Sequence, residues 1–216
     1  MKAKVPALDI EFVRAQYPET CWEWSFFENA GGSYVPNTVI DRITSYMRET
    51  QVQPGPNFSI AAKAQNSIDD GHARMAAMIG ASKDEIVITP STSYSAFVLA
   101  HALRPAWADG DEIIVAVQNH EANSGPWRRL REFGLKILDW PVHPETGAMN
   151  LALLSSLLTK RTRLVAFPHV SNILGEINDV KEITRRIHDA GALVCVDAVA
   201  YAPHRAIDVK AWDVDF

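Results

Sequence analysis

The segment "RLVAFPHVSNILGEINDVKEITRRIHDAGALVCVDA", residues 163–198, carries the pattern that decides the fold. It starts with an apolar run at 163–170 and ends with another at 192–198, and a helical pattern occupies 179–191 between them. Short runs that are apolar throughout are typical of strands buried on both faces, so the segment predicts two parallel strands joined by a helix. Ligands bind such sheets at the carboxyl ends of the strands.

The same alternation continues towards the N-terminus. It predicts a mostly parallel α/β sheet covered by helices on both faces, with further strands at 85–89, 112–117 and 135–142 and further helices at 91–103, 122–134 and 150–158. The first 80 residues instead predict a helix at 35–50, a loop at 51–59 and a long helix at 60–81 that Gly71 interrupts. We therefore expect an N-terminal helical arm at 1–80 and a sheet domain at 81–216.

The composition excludes several classes of protein. The chain has 216 residues, of which 47% are hydrophobic, and a formal net charge of −5 without a long run of Lys or Arg. Nucleic acid and anionic membrane surfaces are therefore not expected as partners. The chain contains no run of 18 consecutive apolar residues, so the sequence predicts no membrane span. Cys21 and Cys195 lack metal-ligand spacing and a disulfide framework, so we expect no metal site and a cytoplasmic location.

Polar side chains follow two of the predicted strands. Ser91, Thr92 and Ser93 open the helix after 85–89, where free backbone N–H groups and hydroxyls could bind a phosphate. The alternative is that they are ordinary helix caps. His120 follows the strand at 112–117, where its imidazole could lie against a planar ligand or belong to an exposed loop.

Two further junctions carry an amide and a carboxylate. Asn172 follows the strand at 163–170, and Gly175 in the same loop predicts a close backbone approach. Asp197 ends the strand at 192–198, where it either caps the next turn or pairs with a ring nitrogen that must stay protonated. Together with the hydroxyl-rich helix start and His120, these groups predict a ligand with a phosphate, a flat ring and a pyridine-type nitrogen. Pyridoxal 5′-phosphate has these three features.

The order of the motifs resembles the class V aminotransferase family, in its cysteine-desulfurase-like branch. The resemblance rests on "FFENAGGSYVP", "EIVITPSTSYSAF", "NHEANSGPW", "HVSNILGEIND" and "VCVDAVAYAPH" and covers the chain from about residue 26 to 216. It implies a three-layer, fold-type-I large domain with a mostly parallel sheet, pyridoxal 5′-phosphate as cofactor, an amino-acid substrate and a homodimer.

The resemblance also implies roles for individual residues. Thr92 and Ser93, with the backbone beside Ser91, would hold the phosphate, and His120 would stack on the ring and assist proton transfer. Asn172 would contact the ring hydroxyl, and Asp197 would pair with the ring nitrogen. The segment "NAGGS", of which we name Asn29, Ala30 and Gly31, would lie near the substrate.

The sequence departs from the family pattern at three places. Ala200 stands where the branch commonly has a glutamine, and the phosphate segment reads "PSTS" instead of a glycine-bearing form. The family's Schiff-base lysine and small domain would follow Phe216, and Lys210 does not match that lysine. The resemblance thus predicts an N-terminal portion, truncated before these features and inactive by itself.

Two classes of function remain open at the level of sequence. The first is an enzyme with cysteine desulfurase or carbon–sulfur lyase activity, with an aminotransferase or epimerase as alternatives within the family. The second is a non-catalytic α/β module that binds a phosphorylated ligand or a protein partner. A dinucleotide-binding Rossmann domain is not supported, because no G-x-G-x-x-G motif follows a predicted strand.

Overall fold

The computed structural model describes residues 8–27 and 31–216, which fall into two compact units, Met1–Gly71 and His72–Phe216. The first unit contains helices α1 (Ile10–Ala15) and α2 (Asn37–Ser45), and α2 continues as a π-helical turn. Helix α3 (Ser59–Ile79) begins in this unit. The predicted interruption at Gly71 is wrong, because one glycine costs a helix interior only about 1 kcal/mol and helix formation is cooperative over the 21 residues of α3.

The second unit is built on a parallel sheet. Over the described residues, its strands are β1 (Glu112–Ala116), β2 (Lys136–Trp140), β3 (Thr162–Pro168) and β4 (Leu193–Asp197), in the order β2-β1-β3-β4. All three pairings are parallel, which confirms the predicted α/β class. The last registered pair of β3 and β4 is Pro168 with Asp197, so the ends of these strands lie side by side.

Five helices accompany the sheet: α4 (Thr92–Leu103), α5 (Gly125–Arg129), α6 (Leu151–Leu157), α7 (Val180–Asp189) and α8 (Val209–Trp212). The helix predicted at 122–134 is α-helical only over α5, with 3₁₀ turns before and after it. Pro126 explains the late start, since a proline is accommodated in the first turn of a helix but not in its interior. Among the described residues, no helix has both the length and the apolarity needed to cross a membrane.

The segment at 85–89 does not form the strand that its sequence predicts. A 3₁₀ turn covers Lys83–Glu85, and no strand is formed at 86–89. The side chains of Val87 and Ile88 are 83% and 56% exposed. A β-type pattern becomes a strand only where a neighbour supplies hydrogen bonds, and no strand of the described residues lies beside this segment.

The two faces of the sheet pack against different helices, and the side chains alternate between them. One buried cluster joins Ile113, Val115, Ala166 and Cys195 to Ala100 of α4 and to α5. The other joins Ile114, Val165, Phe167 and Val194 to residues of α6 and α7, with Val196 packed against it. Because successive side chains of a strand point to opposite faces, Asp197 lies on the α4 face, as Cys195 does.

Candidate active site

Helix α4 is oriented so that its first residues lie towards the carboxyl edge of the sheet. At its other end, Arg104 donates hydrogen bonds to the carbonyl oxygens of Trp107 and Phe133, which precede the starts of β1 and β2. The twelve residues of α4 span about 18 Å, and the five residues of β1 span about 17 Å. The helix therefore runs back along the sheet and begins near the strand ends.

The start of α4 has the donors that an anion requires. The Ser91 hydroxyl caps the helix by accepting a hydrogen bond from the Tyr94 N–H at 3.2 Å, and the Ser91 side chain therefore has the role of an N-cap. The Thr89 and Ser95 hydroxyls contact each other across the turn. The side chains of Thr92 and Ser93 are exposed and form no hydrogen bonds with other described residues. Their hydroxyls are free to bind a ligand.

His120 lies beyond the end of β1, in an exposed position at the head of the turn Glu121–Asn123. This turn packs against α4 and β3. The Ala122 N–H donates a hydrogen bond to Nδ1 of His120 at 3.1 Å. Because Nδ1 accepts this bond, neutral His120 carries its proton on Nε2, which is then the nitrogen available as a donor to a ligand.

Asp197 is half-buried at the end of β4 on the α4 face. Its Oδ1 accepts a hydrogen bond from the Val199 N–H at 3.0 Å, so the sequence-based alternative of a turn cap is present. Its Oδ2 has no hydrogen-bond partner among the described residues. The carboxylate therefore keeps one oxygen available on the same face as the start of α4.

His169 is the residue at this edge that sequence reasoning missed. Its backbone N–H donates to the Asp197 carbonyl at 2.8 Å, and its ring stacks on Tyr201 with 3.6 Å between ring centroids. The ring is 4% exposed, and within the described chain its buried Nδ1 has no hydrogen-bond partner. Burial lowers the pKa of His169 to about 4, so the ring is neutral at physiological pH. The quoted motif "HVSN" contained this histidine, but nothing in the sequence predicted its burial.

Asn172 lies in the exposed loop that follows β3, and no described residue forms a hydrogen bond with its side chain. The loop folds back through a bridge between Val170 and Ile177. The expected close backbone approach at Gly175 is not found, because no atom of the described residues lies within 4 Å of the position of an added Cβ. The glycine is instead explained by its φ of +70°, which other residues rarely adopt.

The structure brings together most of the residues that the sequence singled out. The start of α4, the His120 turn and Asp197 share one face of the sheet, and the Asn172 loop leaves the neighbouring strand at the same edge. Of the expected substrate residues, Asn29 and Ala30 lie outside the described residues. Gly31 is exposed and belongs to the first unit, whereas the other residues belong to the second.

These groups fit pyridoxal 5′-phosphate. Hydroxyls and unpaired N–H groups at a helix start suit a dianionic phosphate. The carboxylate oxygen left open at Asp197 suits a protonated pyridine nitrogen, and the exposed imidazole suits a flat ring. The fit depends on the atoms that these residues leave unused, which are the hydroxyls of Thr92 and Ser93, His120 Nε2 and Asp197 Oδ2; none of them has a hydrogen-bond partner among the described residues.

Comparisons with known proteins identify the family of the chain. The family model described as aminotransferase class V matches residues 25–216. An aminotransferase-like protein of Gibberella zeae is 42% identical, over 97% of this chain and 54% of its own length. A cysteine desulfurase-like protein of Aspergillus flavus is 34% identical, over 97% and 49%. A cysteine desulfurase of Dickeya dadantii is 32% identical, over 100% and 54%.

Solved structures give the same result for the fold. The apo cysteine desulfurase of Thermococcus onnurineus has a TM-score of 0.88 at 29% identity, covering 98% of this chain and 53% of that protein. A cysteine desulfurase of Escherichia coli has a TM-score of 0.85 at 27% identity, covering 98% and 54%. The chain spans about half the length of the curated relatives it matches. It belongs to the class V aminotransferase family, whose cysteine desulfurases depend on pyridoxal 5′-phosphate.

Proposed function

We propose that the protein carrying this chain is a pyridoxal-phosphate-dependent enzyme that breaks the carbon–sulfur bond of cysteine or a related amino acid. The observation that carries the proposal is the open Oδ2 of Asp197, on the sheet face that also holds the start of α4. The turn that Asp197 caps uses only Oδ1, so Oδ2 is available to a ligand. The relatives named cysteine desulfurase favour sulfur chemistry over amino transfer or epimerisation.

Each residue at the edge has a defined part in this proposal. When bound, pyridoxal 5′-phosphate supplies an electron sink for the α-carbon of an amino acid. Thr92 and Ser93 bind its phosphate, and Asp197 keeps a proton on its ring nitrogen. His120 lies against the ring and holds a proton at Nε2, and Asn172 binds near the ring hydroxyl. Residues 81–216 then form the cofactor-binding part, and residues 1–80, with Asn29, Ala30 and Gly31, contribute to the substrate side.

The phosphate contacts give the first testable prediction. Thr92→Val and Ser93→Ala each remove one hydroxyl donor, and we expect each to weaken binding of pyridoxal 5′-phosphate by about 10-fold or more, since a hydrogen bond to a charged group contributes about 1.5–3 kcal/mol. Titration followed by absorbance measures the affinity. Pyridoxal is the control ligand, because it lacks the phosphate. Equal losses for both ligands would show that these hydroxyls do not bind the phosphate.

The reaction is tested on the purified protein loaded with pyridoxal 5′-phosphate and supplied with L-cysteine. We expect alanine and reducible sulfur in equal amounts. Pyruvate with equal amounts of ammonia and sulfide would indicate carbon–sulfur lyase chemistry by elimination. A keto acid that retains the sulfur would indicate amino transfer, and a D-amino acid would indicate epimerisation. The non-catalytic module is the second candidate, and the hydroxyls of Thr92 and Ser93 are consistent with it. Binding of inorganic phosphate as tightly as pyridoxal 5′-phosphate, without turnover of any amino acid, would favour that candidate.

A homodimer in the cytoplasm completes the proposal. Tyr94, Phe97 and Val98 of α4 are between 42% and 53% exposed, which leaves apolar surface for a second copy of the protein. Cys21 and Cys195 are free thiols, as expected in a reducing compartment. Sedimentation equilibrium of the purified protein distinguishes a dimer from a monomer.

A further inference from the structure

The side chain of Asn123 lies beneath the His120 turn and is 3% exposed. Its Oδ1 accepts hydrogen bonds from Trp127 Nε1 at 3.0 Å and from the Cys195 thiol at 3.6 Å. Its Nδ2 donates to Asn119 Oδ1 at 3.1 Å, and Asn119 in turn donates to the carbonyl oxygen of Ala166 at 2.8 Å. One buried amide thus connects the turn to the adjacent helix and to strands β3 and β4.

The orientation of the Asn123 amide follows from the chemistry of its partners. An indole N–H can only donate, so the atom that faces Trp127 is the oxygen. Burial raises the pKa of the Cys195 thiol to about 12, so this group keeps its proton and can donate to the same oxygen. The nitrogen is then directed to Asn119, and the network has one consistent pattern of donors and acceptors.

The same turn fixes the imidazole of His120. The Asn123 N–H donates to the His120 carbonyl at 3.0 Å, and the Ala122 N–H donates to His120 Nδ1. Both N–H groups belong to residues that the Asn123 side chain holds against the sheet. If that side chain is removed, the turn loses its links to Trp127, Cys195 and Asn119 together.

We infer that Asn123 is a positioning residue for His120: its carboxamide holds the turn so that neutral His120 keeps its proton on Nε2. This inference rests on the proposed function only where it concerns catalysis. The control of the tautomer follows from the hydrogen bonds themselves. Cys195, two residues before Asp197, is part of the same network and therefore links the histidine turn to the strand that carries the carboxylate.

The test is the ring ¹⁵N spectrum of histidine-labelled protein, with His120 assigned by the signal that His120→Gln removes. In the unsubstituted protein at pH 8 we expect Nδ1 to be unprotonated and Nε2 to be protonated. Asn123→Ala should shift both ¹⁵N signals towards averaged values, because the two tautomers then interconvert. Asn119→Ala cuts the link to β3 without touching Trp127 or Cys195, and it should give a smaller shift of the same kind. It also decides the question if Asn123→Ala does not fold.

Asn178→Ala is the matched control. Asn178 is a buried amide whose Nδ2 donates to Gln118 Oε1 at 3.0 Å and to the Pro168 carbonyl at 2.8 Å. None of its described hydrogen bonds joins it to the Asn123 network. We expect it to reduce stability and to leave the His120 signals unchanged. Unchanged His120 signals in both Asn119→Ala and Asn123→Ala would overturn the inference and leave Asn123 a purely structural residue.

Kinetics add a readout for catalysis. In the loaded enzyme, Asn123→Ala should lower kcat by about 10-fold and change KM by less than about 2-fold, since a displaced acid–base group affects the chemical step. The ¹⁵N measurement needs neither cofactor nor turnover. Failure of the proposed function would therefore remove only the kinetic readout, whereas failure of the inference would appear in the spectrum.

Discussion

Asp197→Asn is expected to lower turnover of the amino-acid substrate by about 10²-fold or more. Asparagine keeps an oxygen that accepts the Val199 N–H, so the turn after β4 stays intact. It has no negative charge, so under the proposed function it would no longer hold a proton on the ring nitrogen of the cofactor. A loss of about 10²–10³-fold is usual when one aligned electrostatic group is removed from an active site. Steady-state kinetics of the enzyme loaded with pyridoxal 5′-phosphate measure the effect.

Two variants separate the roles of Asp197 as a cap and as a binding group. Asp197→Ala removes both the cap and the charge, and it should lower stability in addition to turnover. Asp179→Asn makes the same chemical change as Asp197→Asn at the N-cap of α7, where the side chain accepts the Glu182 N–H. It should leave turnover unchanged. Near-normal turnover in Asp197→Asn would mean that the residue only caps its turn.

Stability should fall in mild acid because of His169. Its pKa is about 4 in the folded protein and about 6.5 in an unfolded chain, so the unfolded state binds more protons between these pH values. The free energy of unfolding therefore decreases as the pH falls below about 6.5, by about 3 kcal/mol at pH 4. Above pH 7 the residue makes no pH-dependent contribution. Urea unfolding at intervals from pH 4 to 8 measures the dependence.

His169→Phe keeps an aromatic ring against Tyr201 and removes the titrating group. We expect it to flatten the pH dependence between 4 and 6.5. His188→Gln is the matched control, because the pKa of His188 moves in the other direction: burial opposes the charge, but the hydrogen bond and the charges of Asp215 and Asp213 raise it. That variant should still lose stability as the pH falls below about 6.5. If His169→Phe loses as much stability over this range as the unsubstituted protein, groups other than His169 cause the loss.

The sequence predicted the sheet well because its strands are short and apolar throughout. All four described strands begin and end within two residues of the expected limits. Asn150 caps α6, the helix after β2, and Asp179 caps α7, the helix after β3. The segment at 85–89 has the same local pattern and failed. Its pairing depends on a neighbour, and local propensity carries no information about neighbours.

The sequence predicted the residues at the edge of the site, but not the buried residues that hold them in place. Strand ends place His120, Asn172 and Asp197 at one edge, and that rule needs only the order of strands and helices. The buried groups beneath them depend on side-chain geometry. From the sequence alone, Asn123 has the pattern of an ordinary turn residue, and His169 that of an ordinary polar residue after a strand. Their roles became visible only through the bonds of Asn123 to Trp127 and Cys195 and the stacking of His169 on Tyr201.

The side chains proposed to bind the ligand are exposed, whereas the amides that hold the site together are buried. This separation has an evolutionary consequence. Thr92, Ser93 and Asn172 point outward, and over the described residues the rest of the fold makes no side-chain hydrogen bonds to them. Mutations at these three positions carry little risk of unfolding, because they disturb neither packing nor internal bonding. Ligand preference can therefore drift while the scaffold is retained, which is how one architecture comes to host several chemistries.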